Sequence, residues 1–516
     1  MSEVARRRSA LFIASLVAIV AVMLALQVAS IVQESQTFDE GANLSAGYSY
    51  WKTGDYRMNR EHPPLGKLLV SLPLLVLNPV LPTGDSAWAT GDELAFGRAF
   101  LYHNQLPAGE LLFAGRLVTI ALTAVLAVTL ALWVRRRAGP LAALVALLLL
   151  AFDPNILANG RYVTDDLAVT LFAFLAVILW DAALAGGRAA LFVCAGAALG
   201  AALGTKYSAV FLLPVYAGLM WVYRERAETF ARGCALAGGA AAIVLFAICR
   251  GNVAVYTDGL RWTLGYVGHG QLGYLFGMES VHGWWWFFPA AFALKTPIGT
   301  IVLLLATILF AARRWRALGD FGVLLLPIGV YGALCVLEHA DMGVRYLLAI
   351  YPFPFAFVGI VTMKYAPRIF VAACLVATVV ESTLIFPNYL AFFNVAVGGP
   401  GRGPHYLLDS NIDWGQDAIK LKRWLDAHDA GRACVSYFGS APLAYFGINY
   451  ADDVPAYWEI EKRRNLRCYA AVSVTYLYGK QFVGSDAPRW LRDRPPIAKV
   501  GYSIYVWDFR HGDPSV

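Results

Sequence analysis

Apolar residues run along this 516-residue chain in long blocks broken by short polar stretches. Most of the blocks approach bilayer-crossing length. A hydrocarbon core of ~30 Å takes roughly 20 helical residues. Eleven blocks approach that length, at about 9–31, 111–134, 140–153, 164–185, 189–204, 207–223, 233–250, 289–312, 319–337, 346–363 and 368–387, with the third and fifth short. A further block, Leu65–Val80, has prolines within and beside it and reads as a re-entrant or interfacial helix. Two long loops, 32–110 and 251–289, separate the blocks. The first carries Tyr48, Tyr50, Trp51, Tyr56 and Trp88, and its stretch Gly41–Lys52 reads as a helix lying along the interface. The second carries Trp262, Tyr274, Trp284, Trp285 and Trp286, either an interfacial aromatic belt or a platform for a sugar ring or lipid tail. From residue 388 the hydropathy drops. Gln416–His428 has helical periodicity, and Ala433–Tyr437, Ala470–Thr475 and Ser503–Trp507 read as short strands. The pattern predicts a mainly α, polytopic membrane protein: a transmembrane domain over 1–387 and a small soluble α/β domain over 388–516.

Composition sharpens this expectation. With 59% hydrophobic and 15% charged residues, the chain has more apolar side chain than a soluble core buries. The cations give it an orientation. Arg6, Arg7 and Arg8 precede the first block, Arg135–Arg137 follow the second, Arg224, Arg226 and Arg232 follow the sixth, and Arg313, Arg314 and Arg316 follow the eighth. By the positive-inside rule all four clusters face the cytoplasm, which puts both long loops and the C-terminal domain outside. These anchors account for the net charge of +7 and leave no case for nucleic acid. A cleaved signal peptide is disfavoured, because the first apolar run is too long and another block follows. Of the seven cysteines, Cys434 and Cys468 fall in the C-terminal domain, where an oxidising compartment permits a disulfide.

Acids at a lipid boundary are costly, so those placed there are candidates for chemistry. Phe38-Asp39-Glu40 follows the first block, and Glu61-His62-Pro63-Pro64-Leu65-Gly66-Lys67 leads back into apolar sequence. Asp165 and Asp166 open the fourth block at the same outer level; helix capping after Thr164 is the alternative for them. Three cations share that level: Lys206, Lys295 and Arg345, each either a ligand for a phosphate or a snorkelling anchor. Arg161 precedes Asp165 by the spacing of a helical ion pair. His62 reads as metal ligand, hydrogen-bond donor or turn filler, and His269, His282 and His339 are outer-side residues able to converge on it. No cofactor is called for with certainty, although a divalent cation held by Asp39 and Glu40 stays open.

The first-loop pair, with Arg161-Tyr162, Asp165-Asp166, Thr205-Lys206 and Arg345-Tyr346, resembles the protein O-mannosyltransferases and their bacterial relatives, including the lipid A aminoarabinose transferases, in the C-type glycosyltransferase superfamily. That resemblance implies an inverting glycosyltransferase at the periplasmic face of the bacterial inner membrane, moving a hexosyl or pentosyl group from a polyprenyl-phosphate donor to a lipid, glycan or protein acceptor. It makes Asp39 the catalytic base, with Glu40 beside it as a second catalytic candidate, assigns donor phosphate to Lys206 and Arg345, with Lys295 as a further cation, and leaves His62, Arg161, Asp165 and Asp166 for sugar or acceptor. Asp409-Ser410-Asn411-Ile412-Asp413-Trp414-Gly415-Gln416-Asp417 looks like a segment of the bacterial members, without a role that its residues explain. The rival classes are a transporter or flippase of a lipid-linked glycan, which would carry charge at the bilayer midplane, and a non-catalytic carbohydrate-binding protein.

Overall fold

The computed structural model describes residues 3–224, 229–268, 270–313, 321–337, 341–431, 433–449, 467–479 and 489–511. Arg226, Arg314, Arg316, His269 and His339 lie outside these residues. The chain is mainly helical, and its several apolar helices make it a multi-pass membrane protein. Aliphatic side chains such as Leu11, Val17, Ile369 and Leu384 point outward from these helices, as a lipid-facing surface requires.

Every expected apolar block carries helix; the third and fifth are short as expected, and the sixth, eighth and ninth are short as well. Arg6–Ile31, Ala108–Ala138, Asp166–Gly186 and Phe230–Ile248 are long and apolar enough to cross a membrane, and Val344–Ile350 with Pro352–Tyr365 forms a pair bent by 55°. Pro140–Ala151, Ala189–Leu203, Tyr207–Val222, Ile298–Ala312 and Gly322–Cys335 are shorter, at 10–17 residues. The interruptions have local causes. Pro140 and Pro297 can begin a helix but cannot continue one, and Lys206 takes an extended conformation between two helical segments. Irregular backbone at membrane depth is tolerated only where protein buries it, and these breaks carry the buried polar residues of the interior.

Small residues set the closest helix contacts. Ala189–Leu203 and Phe230–Ile248 pack so tightly that a Cβ on Gly196 would lie 2.1 Å from the Ala237 carbonyl oxygen. In the first long loop the stretch expected as a helix forms one, Glu40–Thr53, and Leu65–Val80 holds two short helices, Leu65–Val70 and Leu74–Leu77. Glu40–Thr53 is buried along most of its length. It is clamped between the helix Glu93–Tyr102, where an added Cβ on Gly97 would lie 2.6 Å from the Gly41 carbonyl carbon, and Leu65–Val70, where one on Gly47 would lie 2.0 Å from the Lys67 oxygen. The second long loop forms the helix Val253–Gly268 and a hairpin of β1 (Gly273–Leu275) and β2 (Met278–Ser280).

The C-terminal region carries the helix Ala418–Ala427 and a four-stranded sheet of β3 (Ala433–Ser436), β4 (Tyr469–Ser473), β5 (Ala498–Val500) and β6 (Ile504–Asp508) in the order β3-β4-β6-β5. β3 and β4 run parallel with Cys434 opposite Ala470, and the other pairings are antiparallel. Cys434 and Cys468 form a disulfide between these two strands' edges. Sequence reading missed β5, a three-residue strand that only its partner β6 defines.

The Gly47 contact gives a test in which two effects oppose. Alanine favours a helix interior over glycine by about 1 kcal/mol, but the Lys67 backbone cannot move aside, and overpacking costs about 1–3 kcal/mol. Gly47→Ala is expected to lower the thermal unfolding midpoint in detergent, whereas Gly109→Ala, with nothing within 4 Å of the new Cβ, is expected to leave it unchanged or raise it.

Candidate active site

The two acids of the first loop separate at the start of the helix Glu40–Thr53. Glu40 is fully buried and accepts from Arg116 through both oxygens, Nε to Oε1 at 2.8 Å and Nη2 to Oε2 at 2.6 Å. The backbone amides of Thr37 and Val163 donate to the same carboxylate at 2.8 and 3.0 Å. Burial opposes its ionisation, but the Arg116 charge and these hydrogen bonds prevail and hold it below the usual carboxylate range. Glu40 thus has no lone pair left for a ligand or metal, and it is turned away from Asp39. Among the described residues no group of three or more His, Cys, Asp and Glu is placed to hold a metal ion.

Asp39, one residue earlier, keeps 35% of its side chain open and faces a polar cavity. Its Oδ2 lies 3.3 Å from Arg345 Nη1. Across the cavity Asp166 sits between two cations, with Oδ1 2.5 Å from Lys206 Nζ and Oδ2 3.7 Å from Arg345 Nη1. Four charges therefore run in sequence, Asp39, Arg345, Asp166 and Lys206, each contacting one of opposite sign. Burial pushes the Asp39 carboxyl above its usual range; Asp166 adds to this, and Arg345 and Lys206 oppose it.

The backbone around Arg345 is fixed from the C-terminal segment. Asn411 Oδ1 accepts from the Val344 amide at 2.9 Å, and Asn411 Nδ2 and Ser410 Oγ donate to the Met342 carbonyl at 3.1 and 3.2 Å. The Arg345 guanidinium rests 4.4 Å from the Trp414 ring centre. The same segment grips the Asp39 loop, because the amides of Ser35 and Phe38 donate to the carbonyls of Gln416 and Trp414, both at 2.9 Å. Residues 409–417, for which the sequence offered no role, thus tie the first loop to the cation that faces it. Asp409, held at φ +54°, lies near Arg345 and Asp39, and burial raises its carboxyl to about 7.

His62 lines the same cavity. Its turn is held by Lys67, whose ammonium donates to the Asn59 and His62 carbonyls and to Asn59 Oδ1. Burial, with Lys206 and Lys67 nearby, drives the imidazole far below its usual range, so it is neutral. Gly66 admits Asp165, since a Cβ there would lie 1.8 Å from Asp165 Oδ1. Asp165 Oδ2 and Arg345 Nε, on residues that line the cavity, are buried without a hydrogen-bond partner.

The structure therefore brings Asp39, His62, Asp165, Asp166, Lys206 and Arg345 to one cavity. It places three candidates elsewhere. Arg161 does not pair with Asp165, because residues 160–165 form a turn and a bend where a helix was expected; its Nη2 lies 2.7 Å from Glu34 Oε1. Lys295 is buried under the site, where its ammonium donates to the Leu390 and Asn411 carbonyls. Glu40 is the third. His282 is exposed and does not line the cavity. Asn59, Glu61 and Glu93 do line it, and sequence reading had given them no part. Glu61 stands beside His62 in the quoted motif, a signal that was available; Glu93 sits among other loop acids, with nothing to set it apart.

As it stands the polar cavity is only about 20 Å³, room for one water. On the far side of Asp166, Lys206 and Arg345 a crevice of about 30 Å³ continues between Val169, Phe211, Tyr331 and Leu334. The cations thus have a polar space on one side and an apolar one on the other.

Residues 106–249 match the model of the dolichyl-phosphate-mannose-protein mannosyltransferase family. This stretch contains Asp165, Asp166 and Lys206 and leaves out the first-loop motif. No curated protein matches the chain. The crystal structure of ArnT from Cupriavidus metallidurans in the apo state has a TM-score of 0.50 at 15% identity, over 95% of this chain and 97% of that one. The structure of that protein bound to undecaprenyl phosphate has a TM-score of 0.49 at 14% identity over the same shares. The chain thus resembles the protein O-mannosyltransferases in sequence and the lipid A aminoarabinose transferases in fold.

The two adjacent acids are expected to respond differently to loss of charge. Removing one partner of a buried, hydrogen-bonded pair costs about 3–5 kcal/mol, so Glu40→Gln should sharply lower the unfolding midpoint and the yield of folded protein. Asp39→Asn, which loses one long contact at a partly open site, should leave both near the wild-type values.

Proposed function

We propose that this protein is an inverting glycosyltransferase that moves a hexosyl or pentosyl group from a polyprenyl-phosphate donor to an acceptor hydroxyl at the periplasmic face of a bacterial inner membrane. The observation that carries this reading is the pairing, in one cavity, of a partly open carboxylate with two cations that also border an apolar crevice. The match over 106–249 to a family that uses a dolichyl-phosphate sugar supports the donor class.

In this reading the donor phosphate lies against Lys206 and Arg345, with its prenyl chain leading into the crevice beside Phe211 and Leu334. Arg345 Nε, which has no partner, supplies a donor for a phosphate oxygen. Asp166 holds the two cations in place. His62, neutral, and Asp165 face the sugar hydroxyls. The acceptor oxygen attacks the anomeric carbon as Asp39 takes its proton, and the bond from that carbon to the phosphate oxygen breaks with its electron pair going to the phosphate. The products are the glycosylated acceptor and polyprenyl phosphate; Asp39 then releases its proton to water. Direct displacement inverts the anomeric configuration. The contacts of Arg135 with Ser9 and of Arg137 with Asp181 lie at the opposite ends of the same long helices, which supports a cytoplasmic position for that end and an outer one for the cavity. Residues 388–516 form the soluble outer domain in this reading.

Asp39→Asn is expected to lower release of polyprenyl phosphate by about 10³-fold or more, in line with the worth of general-base catalysis, while donor binding persists; unchanged release would remove Asp39 from the mechanism. The base works only when ionised, so activity should fall as pH drops through a value above the ordinary aspartate range near about 4. Because Arg345 opposes the upward shift, Arg345→Gln should carry this acid limb to higher pH as well as weakening donor binding. A limb that stays in place would show that Asp39 does not set it.

A further inference from the structure

A second cavity of about 660 Å³ opens beside the first loop, well within the ~300–1,000 Å³ of small-molecule sites. Three segments build it: Asp55, Arg57 and Arg60 from the stretch before the His62 turn, the turn Ala89–Asp92, and Trp262 from the helix Val253–Gly268. Asn59, Glu93 and Leu94 line both this cavity and the one that holds Asp39, so these three side chains are the partition between them. The partition stands on a sharp turn. Gly91, at φ +76°, ends the helix Ser86–Thr90, and Asp92 then caps the next helix by accepting from the Ala95 amide at 3.0 Å. Glu93 is the first residue of that helix.

We propose that this open cavity is the acceptor site and that its occupant is a carbohydrate, the end of a glycan chain, whose hydroxyl reaches Asp39 past Glu93. The inference rests on the glycosyltransferase reading above and names the acceptor class for it. The lining is carboxylate, guanidinium, amide and one exposed indole. Carboxylates and guanidinium groups accept and donate to vicinal hydroxyls, and an indole face covers the apolar side of a sugar ring. An acyl chain finds no aliphatic wall here beyond Leu94. A multiply phosphorylated headgroup finds no excess of positive charge, since Arg57 and Arg60 are set against Asp55, Asp92 and Glu93, and Arg57 is already paired with Asp55 at 2.7 Å. The closed state of the inner cavity also fits: a sugar ring needs more than the room of one water, and the partition is the part of its wall with open space behind it. Burial and the neighbouring Glu61 raise the Glu93 carboxyl to about 7, which lets it donate as well as accept at neutral pH.

The test uses the full-length protein in nanodiscs with a panel of polyprenyl-phosphate hexoses and pentoses as donors. The acceptors are neutral oligosaccharides, a serine-rich peptide and vesicles of phosphorylated glycolipid. Transfer to acceptor and hydrolysis of the donor by water are measured together. Thr90→Trp and Ala89→Trp, both at exposed positions on the cavity wall, are expected to cut the ratio of oligosaccharide transfer to hydrolysis by about tenfold or more, the equivalent of 1.4 kcal/mol. Ser86→Trp, on the same helix but off the cavity, should leave that ratio as it is. An unchanged ratio in both cavity variants overturns the proposal, as does transfer by the wild type to the peptide or the glycolipid but not to any oligosaccharide. If the wild type releases no polyprenyl phosphate at all, the enzyme reading itself fails and takes this inference with it; release with a transfer-to-hydrolysis ratio that is insensitive to the cavity variants removes only the acceptor site.

Discussion

Arg345 is the residue on which the rest of the site depends. Its guanidinium contacts Asp39 from the first loop and Asp166 from a long apolar helix and lies on Trp414, and the amide of the preceding Val344 is held by Asn411. Three parts of the chain that are far apart in sequence therefore meet at one positive charge. A buried guanidinium is costly unless opposite charge surrounds it, and the two carboxylates supply that charge only if the loop and the helix hold their places. The tie between residues 35–38 and 414–416 fixes the loop. The C-terminal segment thus belongs to the site as much as the membrane helices do.

Two further buried pairs surround this centre and differ from it in kind. Glu40 with Arg116, and Glu34 with Arg161, are nearly or wholly closed to solvent, and the carboxylates have close partners. They join the ends of the membrane helices to the first loop and, through Lys420 at 3.8 Å from Glu34, to the helix Ala418–Ala427. The cavity groups keep unused capacity: Asp165 Oδ2 and Arg345 Nε lack partners, and Asp39 is partly open. Arg161 Nε also lacks a partner, so what separates chemistry from framework is the partly open Asp39 beside two cations, where both pairs are closed.

Much of this was legible in the sequence, for a reason that also marks its limit. Asp39, Asp166, Lys206 and Arg345 stand out because a charge at the end of an apolar block is expensive, and hydropathy reveals the blocks. Hydropathy does not show what a charge faces. Glu40 follows Asp39 directly, yet the first turn of a helix points the two side chains apart. The expected pair of Arg161 and Asp165 assumed helix where the chain bends, and Lys295, read as a phosphate ligand or a snorkelling anchor, is buried. Eleven blocks were visible, with the breaks at Pro140 and Lys206 at their boundaries, but not the break at Pro297 inside the eighth. The parts that escaped, Asn411, Trp414 and Glu93, work through contacts with residues far along the chain, which no local pattern encodes.

The central claim is direct transfer from the lipid phosphate to an acceptor, with one carboxylate as base and no covalent sugar–enzyme intermediate. The anomeric configuration of the product, read by NMR after a single turnover with a polyprenyl-phosphate sugar of known configuration, tests it most directly. Inversion is the predicted result. Retention would require two successive displacements and a nucleophile on the protein, and would contradict the account.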